Sequence, residues 1–168
     1  CTPVRDQGNC GSCWAFGTLG PVEMNILIKD GASKDLAEQW LVSCNTDGYG
    51  CDGGWWVHKY FVSPGSVYEA DFPYTATDAP CGGPYAYHEK IASWAYVGNS
   101  YSVPGTDAIK QAINDRGPVS AAVCVNTAFR SYTSGVFNPA ISCTTMNHAI
   151  VLVGWDDSLG AWRLRNSW

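Results

Sequence analysis

Apolar residues recur at helical spacing in the first part of the chain. Over residues 13–29 this spacing places four of them on one face of a helix: Ala15, Leu19, Val22 and Ile26. Pro21 has no N–H to donate to the Gly17 carbonyl, so we expect a kink there. Asp35 and Glu38 resemble a capping box. They predict a second short helix, whose apolar face contains Leu36, Trp40 and Cys44.

The hydrophobic period changes along the second half of the chain. Residues 64–105 are rich in Pro, Gly, Ser, Thr and Tyr and predict long loops. A short helix follows over residues 106–116, with Thr106 as its cap. Alternating or continuously apolar runs at 119–125, 149–155 and 162–165 then predict strands. Helices followed by strands indicate an α+β chain with a mainly helical lobe, residues 1–98, and a β-rich lobe, residues 99–168.

Composition and charge argue against several classes of protein. Hydrophobic residues make up 46% of the 168 positions and charged residues only 15%, which argues against disorder. The net charge of −5 argues against a nucleic-acid partner or an anionic membrane surface. The longest apolar run is too short to span a bilayer. No signal peptide opens the chain, whose abrupt ends suggest a fragment or a processed form.

The eight cysteines indicate an oxidising compartment with structural disulfides. Cys10 and Cys13 have the spacing of a zinc knuckle or of a redox dithiol. A zinc site would need a second close pair, whereas Cys44 and Cys51 are seven positions apart and the chain has only three histidines. We therefore expect no metal, but a dithiol–disulfide oxidoreductase remains open.

Three separate segments carry side chains suited to nucleophilic catalysis. The segment from Gln7 to Phe16 places the Cys13 thiol at the first turn of a helix. His148 begins a predicted buried strand, and Asn166 ends the next one. A thiol, an imidazole and an amide can act as a nucleophile, a base and a group that orients the base.

These segments resemble motifs of the papain family of cysteine peptidases, as do residues 36–44 and 51–54. The motifs follow one another in the order expected for the family, and the resemblance extends over nearly the whole chain. The resemblance implies a papain-like two-lobed α+β fold. Its first lobe is helical, its second is an antiparallel β-barrel-like lobe, and the active-site cleft lies between them. Family members usually continue beyond the Asn-Ser-Trp motif at 166–168, so the resemblance also implies a truncated chain that lacks the last part of the second lobe.

The resemblance assigns roles to the catalytic candidates. Cys13 would be a thiolate whose pKa is lowered by the helix N-terminus and by a neighbouring His148 imidazolium. Asn166 would accept the other ring N–H of His148, and Trp168 would shield that hydrogen bond from water. The side-chain amide of Gln7 and the backbone N–H of Cys13 would hold the oxyanion.

Substrate binding is implied in the same way. Gly53 and Gly54 would offer backbone groups to an extended peptide. The expected specificity pocket favours a bulky hydrophobic substrate residue, because the side chains that line it are all apolar. The lining residues are Trp55, Trp56, Ala122, Met146 and Ala149. Asn147 and Trp168 complete the expected binding set.

The resemblance further implies the disulfides Cys10–Cys51 and Cys44–Cys81. Cys124 and Cys143 are left as a pair in the second lobe, and Cys1 has no assigned partner. Outside this framework, His58 and His88 are interpreted as ordinary surface or half-buried histidines. For Glu23 a buried, paired carboxylate and a solvated one both remain open.

The sequence thus predicts a cysteine endopeptidase, extracellular or from a lysosomal or vacuolar compartment, that forms a covalent acyl-enzyme without a cofactor. Its expected partners are peptide or protein substrates and an inhibitory pro-segment or protein inhibitor, with no nucleic acid and no membrane, and it is expected to be a monomer. The alternatives are the C-x-x-C oxidoreductase, a catalytically silent papain-like binding protein and an inactive fragment.

Overall fold

The computed structural model describes residues 1–139 and 145–168. Most helices precede the strands, as the change of hydrophobic period predicts. In chain order the elements are α1 (Cys13–Asp30), α2 (Glu38–Cys44), α3 (Lys59–Val62), α4 (Thr106–Arg116), β1 (Val119–Val123), α5 (Thr127–Arg130), β2 (His148–Asp156) and β3 (Ala161–Arg165). Residues 64–105 contain no helix and no strand longer than an isolated bridge, in agreement with the prediction of long loops.

The three strands form one antiparallel sheet in the order β1-β2-β3. Val123 at the end of β1 pairs with His148 at the start of β2, and Val151 pairs with Arg165 at the end of β3. Because neighbouring strands run in opposite directions, the residue after β3 returns to the end of the sheet at which β2 begins. The register therefore brings Asn166 close to His148.

Helix α1 packs against β2 and β1. Two glycines permit the close approach of helix and sheet: a Cβ at Gly17 would lie 3.1 Å from Ala149 Cβ, and one at Gly20 would lie 2.9 Å from Val151 Cγ2. On its other side α1 contributes to the main apolar core. This core contains Trp14, Ala15, Leu19, Val22, Leu36, Ala37, Trp40, Leu41, Val42, Val57, Phe61 and Val67.

The predicted start of α2 is wrong by two residues. The helix begins at Glu38, with Ala37 at the N-cap position and no side-chain cap. Asp35 pairs with Arg5 instead of capping a helix. The Leu36 N–H donates to the Glu23 carboxylate at 3.0 Å, so a tertiary hydrogen bond holds the segment just before the helix.

The predicted cap of α4 is also corrected. Thr106 is the first helical residue and Gly105 occupies the N-cap position without a side-chain cap. The helix ends at Arg116 as predicted, before Gly117, whose φ of 89° suits a residue without a side chain.

Two disulfides occur among the described residues, and they are the pairs that the resemblance implies. Cys10–Cys51 joins the segment before α1 to the Gly53-Gly54 loop, and Cys44–Cys81 joins α2 to the long loops. Cys143 lies outside the described residues, and with it the expected pairing of Cys124. Within the described part of the chain, no helix is long and apolar enough to cross a bilayer.

Candidate active site

Cys13 is the first residue of α1 and carries a free, half-buried thiol. The segment before it is held in place by the Cys10–Cys51 disulfide and by a 2.7 Å hydrogen bond from the Gly11 N–H to the Cys51 carbonyl. Gly54 packs directly against the indole of Trp14, the residue after Cys13, because a Cβ at Gly54 would lie 2.6 Å from Trp14 Cδ2. The loop therefore fixes the N-terminus of α1, where backbone N–H groups have no helical partner.

The Cys13 thiol also interacts with the sheet. The backbone N–H of Ala149 lowers the pKa of the thiol, as do the N–H groups of Trp14 and of Cys13 itself. Ala149 directly follows His148 in β2. The structure thus brings the thiol of the first helix to the strand that begins with the imidazole.

His148 is buried and hydrogen-bonds to Asn166, with 2.7 Å between Nε2 and Oδ1. The Ser167 backbone N–H donates to the same Oδ1 at 2.9 Å, which identifies this atom as the amide oxygen. Because an amide oxygen only accepts, Nε2 of His148 must carry the proton. The neutral ring then has Nδ1 as its free base.

Trp168 lies beside the His148 ring. Its ring centroid lies 4.7 Å from that of His148, and it also makes an edge contact with Phe129 at 5.8 Å. The indole is 42% exposed, so part of it meets solvent.

Burial dominates the electrostatics of both groups. It raises the pKa of the Cys13 thiol above its usual value, while the three backbone N–H groups act in the opposite direction. Burial also lowers the pKa of His148, against the hydrogen bond to Asn166. Both directions favour an uncharged thiol and imidazole in the free chain and differ from the expectation of a thiolate with a lowered pKa, because desolvation penalises each charge.

Gln7 is buried, and both ends of its side-chain amide make hydrogen bonds. Its Nε2 donates to the Cys10 carbonyl at 2.9 Å, and its Oε1 accepts from the Ser167 hydroxyl at 2.6 Å. Its backbone N–H donates to the Ser167 carbonyl at 2.9 Å. An amide nitrogen has two N–H bonds, so one remains for an oxygen arriving beside Cys13.

The expected substrate residues differ in what they can offer. Gly53 exchanges both backbone hydrogen bonds with Gly50, each 3.2 Å long, so its N–H and its carbonyl are already paired within the loop. The Asn147 side chain is occupied by both backbone groups of Val125, at 2.7 and 3.0 Å, which gives it a structural role. This clamp fixes the turn that leads into His148.

The expected apolar pocket residues include both exposed and buried side chains. Trp55 and Met146 are about half exposed, Trp56 and Ala122 are half-buried, and Ala149 is buried. Trp55 and Trp56 contact each other, with ring centroids 5.3 Å apart.

The sequence left the state of Glu23 open, and the structure buries it. Arg165 Nη1 lies 3.5 Å from its Oε2 and donates to Thr2 Oγ1 at 2.9 Å, while Thr2 donates to the same carboxylate at 3.2 Å. Arg165 was not singled out by the sequence, since a strand residue before Asn166 carries no signal of its burial. The network links α1 to the end of β3 beside the site.

The structure removes one chemical alternative. Cys10 is bonded to Cys51 while Cys13 is free, so the two cysteines do not form a redox dithiol. Among the described residues, no group of three or more His, Cys, Asp or Glu side chains is arranged to hold a metal ion.

Comparison with known proteins gives consistent matches. The model of the papain family cysteine protease matches residues 1–168. The chain is 39% identical to gamete and mating-type specific protein A of Dictyostelium discoideum, over 99% of this chain and 37% of that protein. It is 36% identical to digestive cysteine proteinase 2 of Homarus americanus, over 99% of this chain and 54% of that protein.

A solved structure agrees with the sequence matches. Bromelain protease from Ananas comosus, in complex with the inhibitor E64, superposes with a TM-score of 0.87 at 33% identity and covers 99% of this chain and 78% of its own. The chain spans between a third and about half of the length of the two relatives above.

Proposed function

The chain belongs to the papain family of cysteine proteases, and we propose that it hydrolyses peptide bonds as an endopeptidase with Cys13 as the nucleophile. One observation carries the proposal. The helix that begins at Cys13 packs against Ala149, the residue next to His148, and His148 Nε2 lies 2.7 Å from Asn166 Oδ1. These contacts support one site that contains a nucleophile, a base and a group that orients the base, as covalent catalysis requires.

Activation starts from the uncharged pair. Since Nε2 of His148 already carries a proton for Asn166, the Cys13 proton passes to Nδ1. The thiolate and the imidazolium form together and each stabilises the other, which offsets the cost of burying either charge alone. The N–H groups of Ala149 and of the first turn of α1 further stabilise the sulfur anion.

The thiolate attacks the peptide carbonyl carbon. A C–S bond forms and the carbonyl π electrons move to oxygen, where the remaining N–H of Gln7 and the Cys13 backbone N–H stabilise the anion. One such donor typically contributes about 2.7–4 kcal/mol to the transition state. When the carbonyl re-forms, the C–N bond breaks and the His148 imidazolium protonates the leaving amine.

Water completes the cycle. His148, neutral again, takes a proton from water as its oxygen attacks the thioester carbon. Collapse of this second tetrahedral species breaks the C–S bond, releases the acid and returns the proton to the Cys13 sulfur. The pair regains its starting state without a cofactor.

Specificity follows from the apolar set beside the cleft. We propose that Trp55, Trp56, Ala122, Met146 and Ala149 receive a bulky hydrophobic side chain of the substrate, because burying apolar surface there is favourable and nothing among these side chains carries a charge. The Gly54 backbone pairs with the extended peptide.

The compartment and partners are proposed on the same basis. Two disulfides suit an oxidising environment, extracellular or lysosomal and vacuolar. The relevant partners are peptide or protein substrates, together with an inhibitory pro-segment or a protein inhibitor, and the chain acts as a monomer.

The boundary between the lobes lies at residues 98 and 99.

Thiol labelling with turnover assays tests the function. Iodoacetamide should label Cys13 fastest and abolish hydrolysis of a peptide amide, and Cys13→Ser should be inactive. Cys1→Ser is the matched control, since Cys1 is the other free thiol of the described chain and is exposed. Hydrolysis that survives Cys13→Ser would disprove the assignment. Peptide binding without any turnover by the parent chain would favour the silent binding protein.

A further inference from the structure

Pro21 interrupts the hydrogen bonds of α1 without ending the helix, which continues from Cys13 to Asp30. An α-helix would use the N–H of residue 21 to satisfy the Gly17 carbonyl, and proline has none. Gly17 is buried, so water does not readily replace the missing donor. A buried carbonyl without a donor is destabilising.

Ser120 supplies a donor from the sheet. Its hydroxyl donates to the Gly17 carbonyl at 2.6 Å across a sequence separation of 103 residues. Ser120 lies in β1 and pairs with Val151 of β2. A side chain of the sheet thus takes the place of the N–H that Pro21 lacks.

His58 holds the serine in this orientation. Its Nε2 lies 3.2 Å from Ser120 Oγ. Because the single hydroxyl proton is used on Gly17, Nε2 must be the donor in this contact, and Nδ1 is left buried without a hydrogen-bond partner. The ring stacks on Trp94, with centroids 5.6 Å apart, and contacts Trp56 at 6.3 Å.

This relay lies one helical turn from the nucleophile. Gly17 is four residues after Cys13, and a Cβ on it would lie 3.1 Å from the Cβ of Ala149, the residue after His148. We propose that Ser120 is a positioning residue that fixes the Cys13 end of α1 against the sheet by replacing the hydrogen bond lost to Pro21, and that His58 fixes Ser120. The effect on catalysis rests on the proposed function, whereas the coupling between residues 21 and 120 does not.

A double-mutant cycle tests this proposal. In the parent chain, Ser120→Ala should slow the alkylation of Cys13 by iodoacetamide about tenfold and lower kcat by a similar factor with KM within about twofold. Pro21→Ala restores an N–H at position 21. In the Pro21→Ala background, Ser120→Ala should change the alkylation rate and kcat less than about twofold, because the N–H of residue 21 still donates to the Gly17 carbonyl.

Two further variants separate positioning from general loss of packing. Ser120→Thr keeps the hydroxyl and should retain most of the parent rate, and His58→Leu, which removes the donor to Ser120, should reproduce part of the Ser120→Ala defect. Ser134→Ala, in an exposed loop, is the control and should have no effect. Equal effects of Ser120→Ala in both backgrounds would overturn the proposal, as would normal alkylation of Cys13 in Ser120→Ala.

Denaturant unfolding makes the test independent of turnover. The unfolding equilibrium constant should rise about tenfold for Ser120→Ala in the parent chain and much less in Pro21→Ala. If the parent chain hydrolyses no peptide, the proposed function fails, but this coupling would still support the hydrogen-bond relay. If the coupling is absent while hydrolysis is normal, only the relay fails.

Discussion

At the scale of single residues, the imidazole of His148 depends on one amide for its tautomer. Asn166 accepts from Nε2 and is itself fixed by the Ser167 N–H. The sequence predicted this contact through the resemblance, but the assignment of Nε2 as the donor comes from the second hydrogen bond.

Replacing this amide should therefore impair catalysis more than binding. Asn166→Ala should lower kcat on the order of 10- to 100-fold, a part of what a positioned acid–base group contributes, with a smaller change in KM. Because the hydrogen bond to Asn166 raises the pKa of His148, its removal should lower that pKa further. NMR titration of the ring together with steady-state kinetics measures both effects. An unchanged pKa and an unchanged kcat would contradict the orienting role.

His58 makes stability depend on pH. Burial lowers its pKa to about 4 in the folded chain, while in the unfolded chain it titrates near the usual 6.5. Between these values the unfolded state binds more protons, so the free energy of unfolding should fall as pH decreases, by up to about 3 kcal/mol from this residue. Above pH ~6.5 the residue should contribute no pH dependence.

Urea unfolding at a series of pH values checks this prediction. His58→Gln should remove most of the fall between pH ~6.5 and ~4. His88→Gln is the matched control, since His88 lies in the long loops and stacks on Tyr68 with centroids 4.0 Å apart. The same slope in the parent and in His58→Gln would show that other groups are responsible.

At the scale of elements, the approach of α1 to the sheet depends on residues without side chains. A Cβ at Gly20 would lie 2.9 Å from Val151 Cγ2 and 3.1 Å from Arg165 Nη1. Neither neighbour can move freely, because Val151 is buried in β2 and the Arg165 guanidinium is bound to Thr2 and Glu23.

Gly20→Ala should destabilise the chain although alanine favours helices. Helix propensity would add about 1 kcal/mol of stability, but overpacking typically costs about 1–3 kcal/mol. We expect a net loss on the order of 1 kcal/mol in chemical denaturation. Gly154→Ala in β2 is the control, because its Cβ would meet nothing within 4 Å, and it should not destabilise the chain. Stabilisation by Gly20→Ala would show that the helix can shift away from β2.

At the scale of the whole molecule, a buried ion pair joins distant segments. Glu23 of α1 accepts from the Leu36 N–H and from Thr2, and it faces Arg165 of β3. Burial raises the pKa of Glu23 while Arg165 lowers it. Burial has the larger effect, so the pKa stays above its usual value although partners from three other parts of the chain favour the carboxylate.

Removing only the cation should cost more than removing both charges. Arg165→Met leaves a buried carboxylate and should destabilise the fold by roughly 3–5 kcal/mol at neutral pH. The combination with Glu23→Gln should recover part of this loss, as measured by a double-mutant cycle of urea unfolding. Arg163→Met on the exposed face of β3 is the control. Additive effects of the two substitutions would show that the pair is not coupled.

The sequence determined the parts of this protein that depend on local pattern or on a motif. Helical spacing predicted α1, and the alternating or continuously apolar runs predicted the three strands. Local signals failed at the starts of α2 and α4, where Ala37 and Gly105 occupy the N-cap positions without a side-chain cap. The lobe boundary and the roles of the site residues stay predictions.

Only the tertiary structure decided which polar groups meet in the interior. Nothing in the local pattern could show that Glu23 is buried against Arg165 or that Ser120 satisfies the carbonyl freed by Pro21, since these partners are 142 and 103 residues apart. The pKa directions of Cys13 and His148 were also decided there, because they depend on how much water the packed chain excludes. A sequence motif specifies which groups are present, whereas the fold determines how far apart these groups lie and how much water reaches them.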